Sequence, residues 1–286
     1  MGSVFHKTAT IARAAALSFL ILLFGAGIWS ALIVVNLSRT PGIPWSVPVM
    51  AAVLWLMWEI MGGRYWPRST AEARRRGLRA AVVPCRQFAW AFAAGMFAVA
   101  GLAGLWIVLF QMVKMLPNPL PDFSQYPLTT IVPMILMSSL AAPLTEEPAF
   151  RGYCQGILER EFSAPAAVVM SSTFFALAHA SQGIEWPKLL FYFLVGIVFG
   201  TTASLTRSIL PAIPGHVLGL LIFFAVIWPH DATRRLISAG GADVWFWLHV
   251  VQTLGFGALA VWSLVRLARI SNSSVRSGAP AIRPAA

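Results

Sequence analysis

Apolar residues in this chain do not alternate with polar ones. They run on in long stretches, interrupted by short segments rich in arginine, proline and glycine. Largely uncharged runs of about 17 to 25 residues or more, the length that crosses a hydrocarbon core, lie near 14–37, 45–61, 88–113, 128–158, 165–181, 189–205, 209–228 and 244–267. Runs of this length without period-two alternation predict helices, because backbone polar groups in lipid must find partners within their own segment. The pattern predicts an all-α polytopic membrane bundle of about eight transmembrane helices, forming a single domain over 1–270. Residues 271–286, SNSSVRSGAPAIRPAA, lack the apolar side chains to pack and are expected to be a disordered cytoplasmic tail. The first run follows Lys7 and Arg13 as an export signal would. It stays apolar through Leu37, past the length of a signal core, and reads as a retained helix.

Composition agrees. Of 286 residues, 58% are hydrophobic and 11% charged, against about 25% charged in a soluble domain, which excludes an ordinary globular protein. A net charge of +11 would suggest nucleic acid in a soluble chain; here it raises the question of which membrane face carries it. Eight spans put both termini on one face, and that face collects 15 of the 21 Lys and Arg residues, seven of them between Arg64 and Arg86. The other face has Arg39, Lys114, Lys188, Arg234 and Arg235. Basic residues accumulate on the cytoplasmic side, so both termini are expected there. The charge then encodes orientation, and no nucleic-acid partner is implied. The Arg-rich segment reads as a topology determinant in contact with anionic lipid. Cys85 and Cys154 are too few for a disulfide framework or a cysteine metal site.

The chemistry is in the charges that fall inside a span. Glu146 and Glu147 lie well within 128–158, where an ionisable side chain costs about 2.5–3.5 kcal/mol to insert and marks a functional site by default. On a helix Glu147 lies over Arg151, four residues on, so those two can neutralise each other. Glu146 is turned about 100° away. It stays unpaired in a low-dielectric pocket, as suits a general base or acid. His6, His230 and His249 lie in the N-terminal tail, an outer loop and an outer span end. His179 follows Phe175 by one turn, and His216 follows Pro211 and Pro214. Together with the glutamates, these two histidines come from three spans of one bundle and point to a shared site.

At these residues the sequence resembles the CAAX protease and bacteriocin-processing (CPBP) family of glutamic-type intramembrane proteases, which includes the type II CAAX prenyl endopeptidases. The family pattern E-E-x-x-x-R, F-x-x-x-H and H-x-x-x-N is met by Glu146, Glu147 and Arg151, by Phe175 and His179, and by His216. The third motif departs at its end, where Leu220 stands in place of Asn. The resemblance covers about 128–228. It implies hydrolysis of a peptide bond in a membrane-embedded or lipidated protein or peptide, with the bilayer as the other partner. Catalytic roles fall to Glu146 and His179, activating a water, and to His216 at the oxyanion; Glu147, Arg151 and Phe175 support them. Two histidines and a glutamate are also an acceptable zinc set, whereas a glutamate-activated water needs no metal.

Leu220 removes a polar group from the implied oxyanion site. Ser138, Ser139, Ser172, Thr201 and Thr202, in nearby spans, are the expected substitutes. The same departure keeps open a non-catalytic membrane scaffold, and ionisable groups in a bundle core also fit a proton-coupled transporter. Counted from the cytoplasmic ends of their spans, His216 lies about 10 Å deep and His179 about 21 Å. A cavity between the midplane and the cytoplasmic side is expected.

Overall fold

A computed structural model describes residues 2–116 and 123–276. Among them all regular structure is helical. The first rod is α1 (Gly2–Leu22), a π-helical turn at Leu23–Gly27, and α2 (Ile28–Arg39). Gly25 lies in that turn where a Cβ would meet Thr145 Cγ2 at 2.0 Å, so the missing side chain lets two helices approach. The chain then reverses around one buried side chain. Asn36 donates from Nδ2 to the Thr40 and Ile43 carbonyls (2.9 and 2.8 Å) and accepts the Ser46 amide at 2.9 Å, ending one helix and starting the next, α3 (Ser46–Met61).

After a short helix in the Arg-rich segment, α4 (Ala71–Leu78), the long α5 (Cys85–Met112) crosses the bundle. Then come α6 (Leu128–Glu146), continued through a π-helical stretch, Glu147–Cys154, into α7 (Gln155–Leu158); α8 (Ala164–Ala178); α9 (Trp186–Thr206); α10 (Ala212–Ile222); and α11 (Val244–Arg276). The α6–α7 post is central. Trp29, Leu37, Met50 and Leu54 pack on its first half and Ala14 on its last. On the far side, α11 lies along α5 at glycine contacts: a Cβ on Gly104 would stand 2.9 Å from the His249 carbonyl oxygen. The outward face of α11 is exposed and apolar (Val251, Leu254, Val261, Val265), as bilayer contact requires.

Among the described residues seven helices are long and apolar enough to cross a membrane, and the chain is an integral multi-pass membrane protein. The eighth expected span is α3, which is apolar but has 16 residues, about 24 Å of helix against a hydrocarbon core of about 30 Å. α11 runs on to Arg276, past the boundary expected at 270, and the remainder of the expected tail, 277–286, lies outside the described residues. The Arg-rich segment is tied into the bundle. Arg79 is drawn into the bundle, where it pairs with Glu159 at 3.1 Å and donates to the Arg151 and Ala203 carbonyls (3.3 and 3.1 Å). Burial pulls its guanidinium below the ordinary range and Glu159 opposes the shift. Gly152 meets the Gly77 and Leu78 carbonyls closely, so α4 braces the π-helical stretch from the basic end.

Candidate active site

Pro148 sets the local geometry of the site. It has no N–H to return to the Leu144 carbonyl, and that freed oxygen accepts the Trp58 indole N–H at 2.9 Å. From Glu147 to Cys154 the helix widens to π geometry, a form often found at functional sites. Both carboxylates face the protein interior: Glu146 is 7% exposed and Glu147 fully buried.

Glu147 and Arg151 pair as their spacing predicts, at 3.3 Å, both buried. The guanidinium lies 4.2 Å from the centroid of Phe175 and donates to the Val195 carbonyl at 3.5 Å. Glu147 also has a partner that the spacing does not reveal: its Oε1 accepts from His216 Nδ1 at 2.9 Å. It is therefore shared between a cation and an imidazole, and it fixes the orientation of that ring. His216 also stacks on Phe199, with centroids 5.1 Å apart.

His179 ends α8. Its Nδ1 donates to the Phe175 carbonyl at 2.8 Å, and its ring lies between Phe175 and Tyr192, with centroids at 4.5 and 4.0 Å. In both histidines Nδ1 is thus occupied, and Nε2 turns to Glu146. His179 Nε2 is 3.8 Å from Glu146 Oε1, and His216 Nε2 is 3.7 Å from Oε2. Glu146 is not left alone in its pocket, as its angular separation from Glu147 suggested; two imidazoles bracket its two oxygens. Two imidazoles on one carboxylate resemble a His₂Glu metal set, but among the described residues no group of three His, Cys, Asp or Glu is arranged to hold a metal ion.

The unequal depths expected for the histidines do not keep them apart. The connection before α10 is buried: Ser208 donates to the Ala81 carbonyl at 2.6 Å, and the Ile209 amide donates to that of Arg79 at 3.0 Å. α10 therefore starts beneath the backbone of the Arg-rich segment, and the contacts with Glu146 bring His216 and His179 to one carboxylate. A cavity of about 380 Å³ opens from Glu146, His179 and His216, and its wall includes Leu102, Trp106, Gln182 and Ile227. Those last three lie toward the ends of their segments remote from the Arg-rich end. The cavity thus extends from the Glu–His–His group toward the end of the bundle remote from the Arg-rich segment, whereas the expectation placed it on the Arg-rich side. Ser30 and Ile222, both exposed, line it as well, so it opens sideways toward the bilayer between α2 and α10.

Leu220 is in the cavity wall. None of the five expected hydroxyl substitutes is. Ser138, Ser139, Ser172 and Thr202 donate to carbonyls of their own helices, as membrane-helix hydroxyls commonly do, and Thr201 also lies off the cavity. The polar residues in the wall besides the Glu–His–His group are Ser30, Ser181, Gln182 and Tyr192. The Tyr192 hydroxyl donates to the Gln182 side-chain carbonyl, which leaves the carboxamide N–H groups available. Gln182, three residues beyond His179, and Tyr192, a polar handle in an apolar span, were readable as polar but not as neighbours.

Residues 128–222 match the family model described as Type II CAAX prenyl endopeptidase Rce1-like. This is the family type that the three motifs resemble, and the matched segment contains every residue of the Glu–His–His group. No curated protein and no solved structure matches the chain. At the level of the family, the match supports a membrane-embedded peptide-bond hydrolase of CAAX type.

Truncating Arg151 would strand a buried carboxylate. Arg151→Leu is expected to destabilise the protein by about 3–5 kcal/mol, whereas Arg76→Gln, at an exposed pair with Glu72, should change stability by no more than about 0.5 kcal/mol. Thermal unfolding in one detergent checks this; equal melting of the two variants would contradict the buried role of Arg151.

Proposed function

We propose that the chain is an intramembrane endopeptidase that hydrolyses a peptide bond of a membrane-embedded or lipidated protein or peptide. One observation carries the reading: two imidazole Nε2 atoms converge on one carboxylate in the wall of a largely apolar cavity. Gaps of 3.8 and 3.7 Å exceed a direct hydrogen bond and suit a water held between the groups.

In this mechanism Glu146, assisted by His179, accepts a proton from that water as its oxygen attacks the scissile carbonyl carbon. The carbonyl π electrons move to oxygen, and His216, carrying a proton on each ring nitrogen, donates Nε2–H to the oxyanion where bulk water is excluded. Glu147 holds His216 through Nδ1 and is itself held by Arg151. When the tetrahedral intermediate collapses, the C–N bond breaks and the proton returns to the leaving amine. Gln182 supplies the second oxyanion donor in place of the absent carboxamide at Leu220. Its carbonyl is occupied by Tyr192, so its N–H groups are the ones turned to substrate. Leu220 in the cavity wall favours, as a second reading, a scaffold that binds the same substrates without cutting them.

The family description supports a membrane-associated substrate, and the lateral opening gives it a route in. We further propose that both termini and the Arg-rich end face the cytoplasm. The cavity then extends from the Glu–His–His group toward the opposite leaflet.

Cleavage of a tagged transmembrane or lipidated peptide by purified protein tests the reading. Glu146→Ala, His179→Ala and His216→Ala should each abolish cleavage; full activity in Glu146→Ala would remove the protease assignment. Gln182→Leu should lower kcat by about 10²- to 10³-fold with a smaller effect on KM, and an unchanged kcat would remove Gln182 from the mechanism. For orientation, exposed Cys85 should react with a membrane-impermeant thiol reagent in inside-out vesicles; reaction only in right-side-out vesicles would invert the topology.

A further inference from the structure

We propose that a second site, outside the catalytic cavity, binds the phosphodiester headgroup of an anionic phospholipid in the cleft between the start of α5 and the end of α11. Arg86 and Trp90 are four residues apart on one face of α5; Arg266, Arg269, Ile270 and Ser273 share one face of α11. Together they line a cleft of about 210 Å³.

What sets this cleft apart is the convergence of unspent charge. Arg64, Arg76, Arg79, Arg151, Arg207 and Arg234 all have carboxylate partners. Arg86, Arg266 and Arg269 pair with no carboxylate among the described residues, although they converge on one concavity. Three guanidiniums around a space form a receptor for a phosphate group, which arginine recognises through its planar fork of donors; the Ser273 hydroxyl beside them donates to the Ile270 carbonyl. Arg86 lies in the first turn of α5, where the helix end adds positive potential.

The position of the cleft selects a lipid. Trp90 and Trp262 meet edge to face at 5.1 Å, and the Arg266 guanidinium lies 5.4 Å from the Trp262 ring centroid. Indoles next to arginines at one end of long apolar helices are what the headgroup level of a bilayer favours. Beyond them the exposed side chains of Val261 and Val265 offer acyl chains an apolar surface. Basic pockets between transmembrane helices are suited to anionic headgroups. A lipid here would bridge α11 to α5, the helix whose Ala98, Leu102 and Trp106 line the catalytic cavity.

The test uses the full chain in a neutral detergent, titrated with phosphatidylglycerol or phosphatidylcholine, with bound lipid read by native mass spectrometry and the fold by circular dichroism. Phosphatidylglycerol should be retained preferentially. The double variant Arg266→Gln/Arg269→Gln should weaken its binding about tenfold or more, on the scale expected for two interfacial arginines, with unchanged helicity. Arg75→Gln/Arg76→Gln, in exposed α4, should bind as the unsubstituted chain does. Three results would overturn the proposal: unaltered binding in the first variant, an equal loss in the second, or complete displacement of phosphatidylglycerol by equimolar inorganic phosphate, which would make this a free-phosphate site.

Discussion

Two adjacent carboxylates in an apolar bundle are the constraint around which this protein is built. Burying a carboxylate without partners is prohibitive, so each one must be met by groups from elsewhere in the chain. Glu147 is met by Arg151 on its own helix and by His216 from α10. Glu146 is met by His216 and by His179 from α8. These contacts hold three transmembrane segments at one level. They also divide the labour: Glu147, fully buried, is engaged on structural partners, while Glu146 faces the cavity with its oxygens free for a reacting group.

Much of the surrounding structure serves that arrangement. Pro148 forbids a regular α-helical bond, and the resulting π-helical stretch turns consecutive side chains inward. Trp58 takes up the orphaned carbonyl, and α4 closes on Gly152 from the basic end. The short buried connection before α10, hydrogen-bonded to the backbone at Arg79 and Ala81, anchors the start of the helix that carries His216. Phe175 supports both halves of the site, stacking under Arg151 on one side and against His179 on the other.

Helical class, the long spans and the membership of the cluster were legible because burial in lipid leaves a loud signal: long uncharged runs, and rare charges whose cost demands a reason. The Glu147–Arg151 pair was legible from its spacing alone. What could not be read was anything fixed by the meeting of distant segments. The bond between His216 and Glu147 spans three helices. Arg79 looked like one more loop arginine until Glu159 and two carbonyls claimed it. Four of the five hydroxyls expected to replace the carboxamide at Leu220 are spent, because short hydroxyls on membrane helices bond back to their own backbone. The meeting of His179 and His216 on one carboxylate was hidden for a related reason: span counts do not show that the start of α10 packs beneath the Arg-rich segment.

The division of roles between neighbouring glutamates is tested most directly by comparing Glu146→Gln with Glu147→Gln for melting temperature and single-turnover peptide cleavage under the same conditions. The account predicts that Glu146→Gln melts as the unsubstituted protein does and does not cleave, while Glu147→Gln melts at a distinctly lower temperature. Cleavage by Glu146→Gln, or the same loss of stability in both variants, would contradict it.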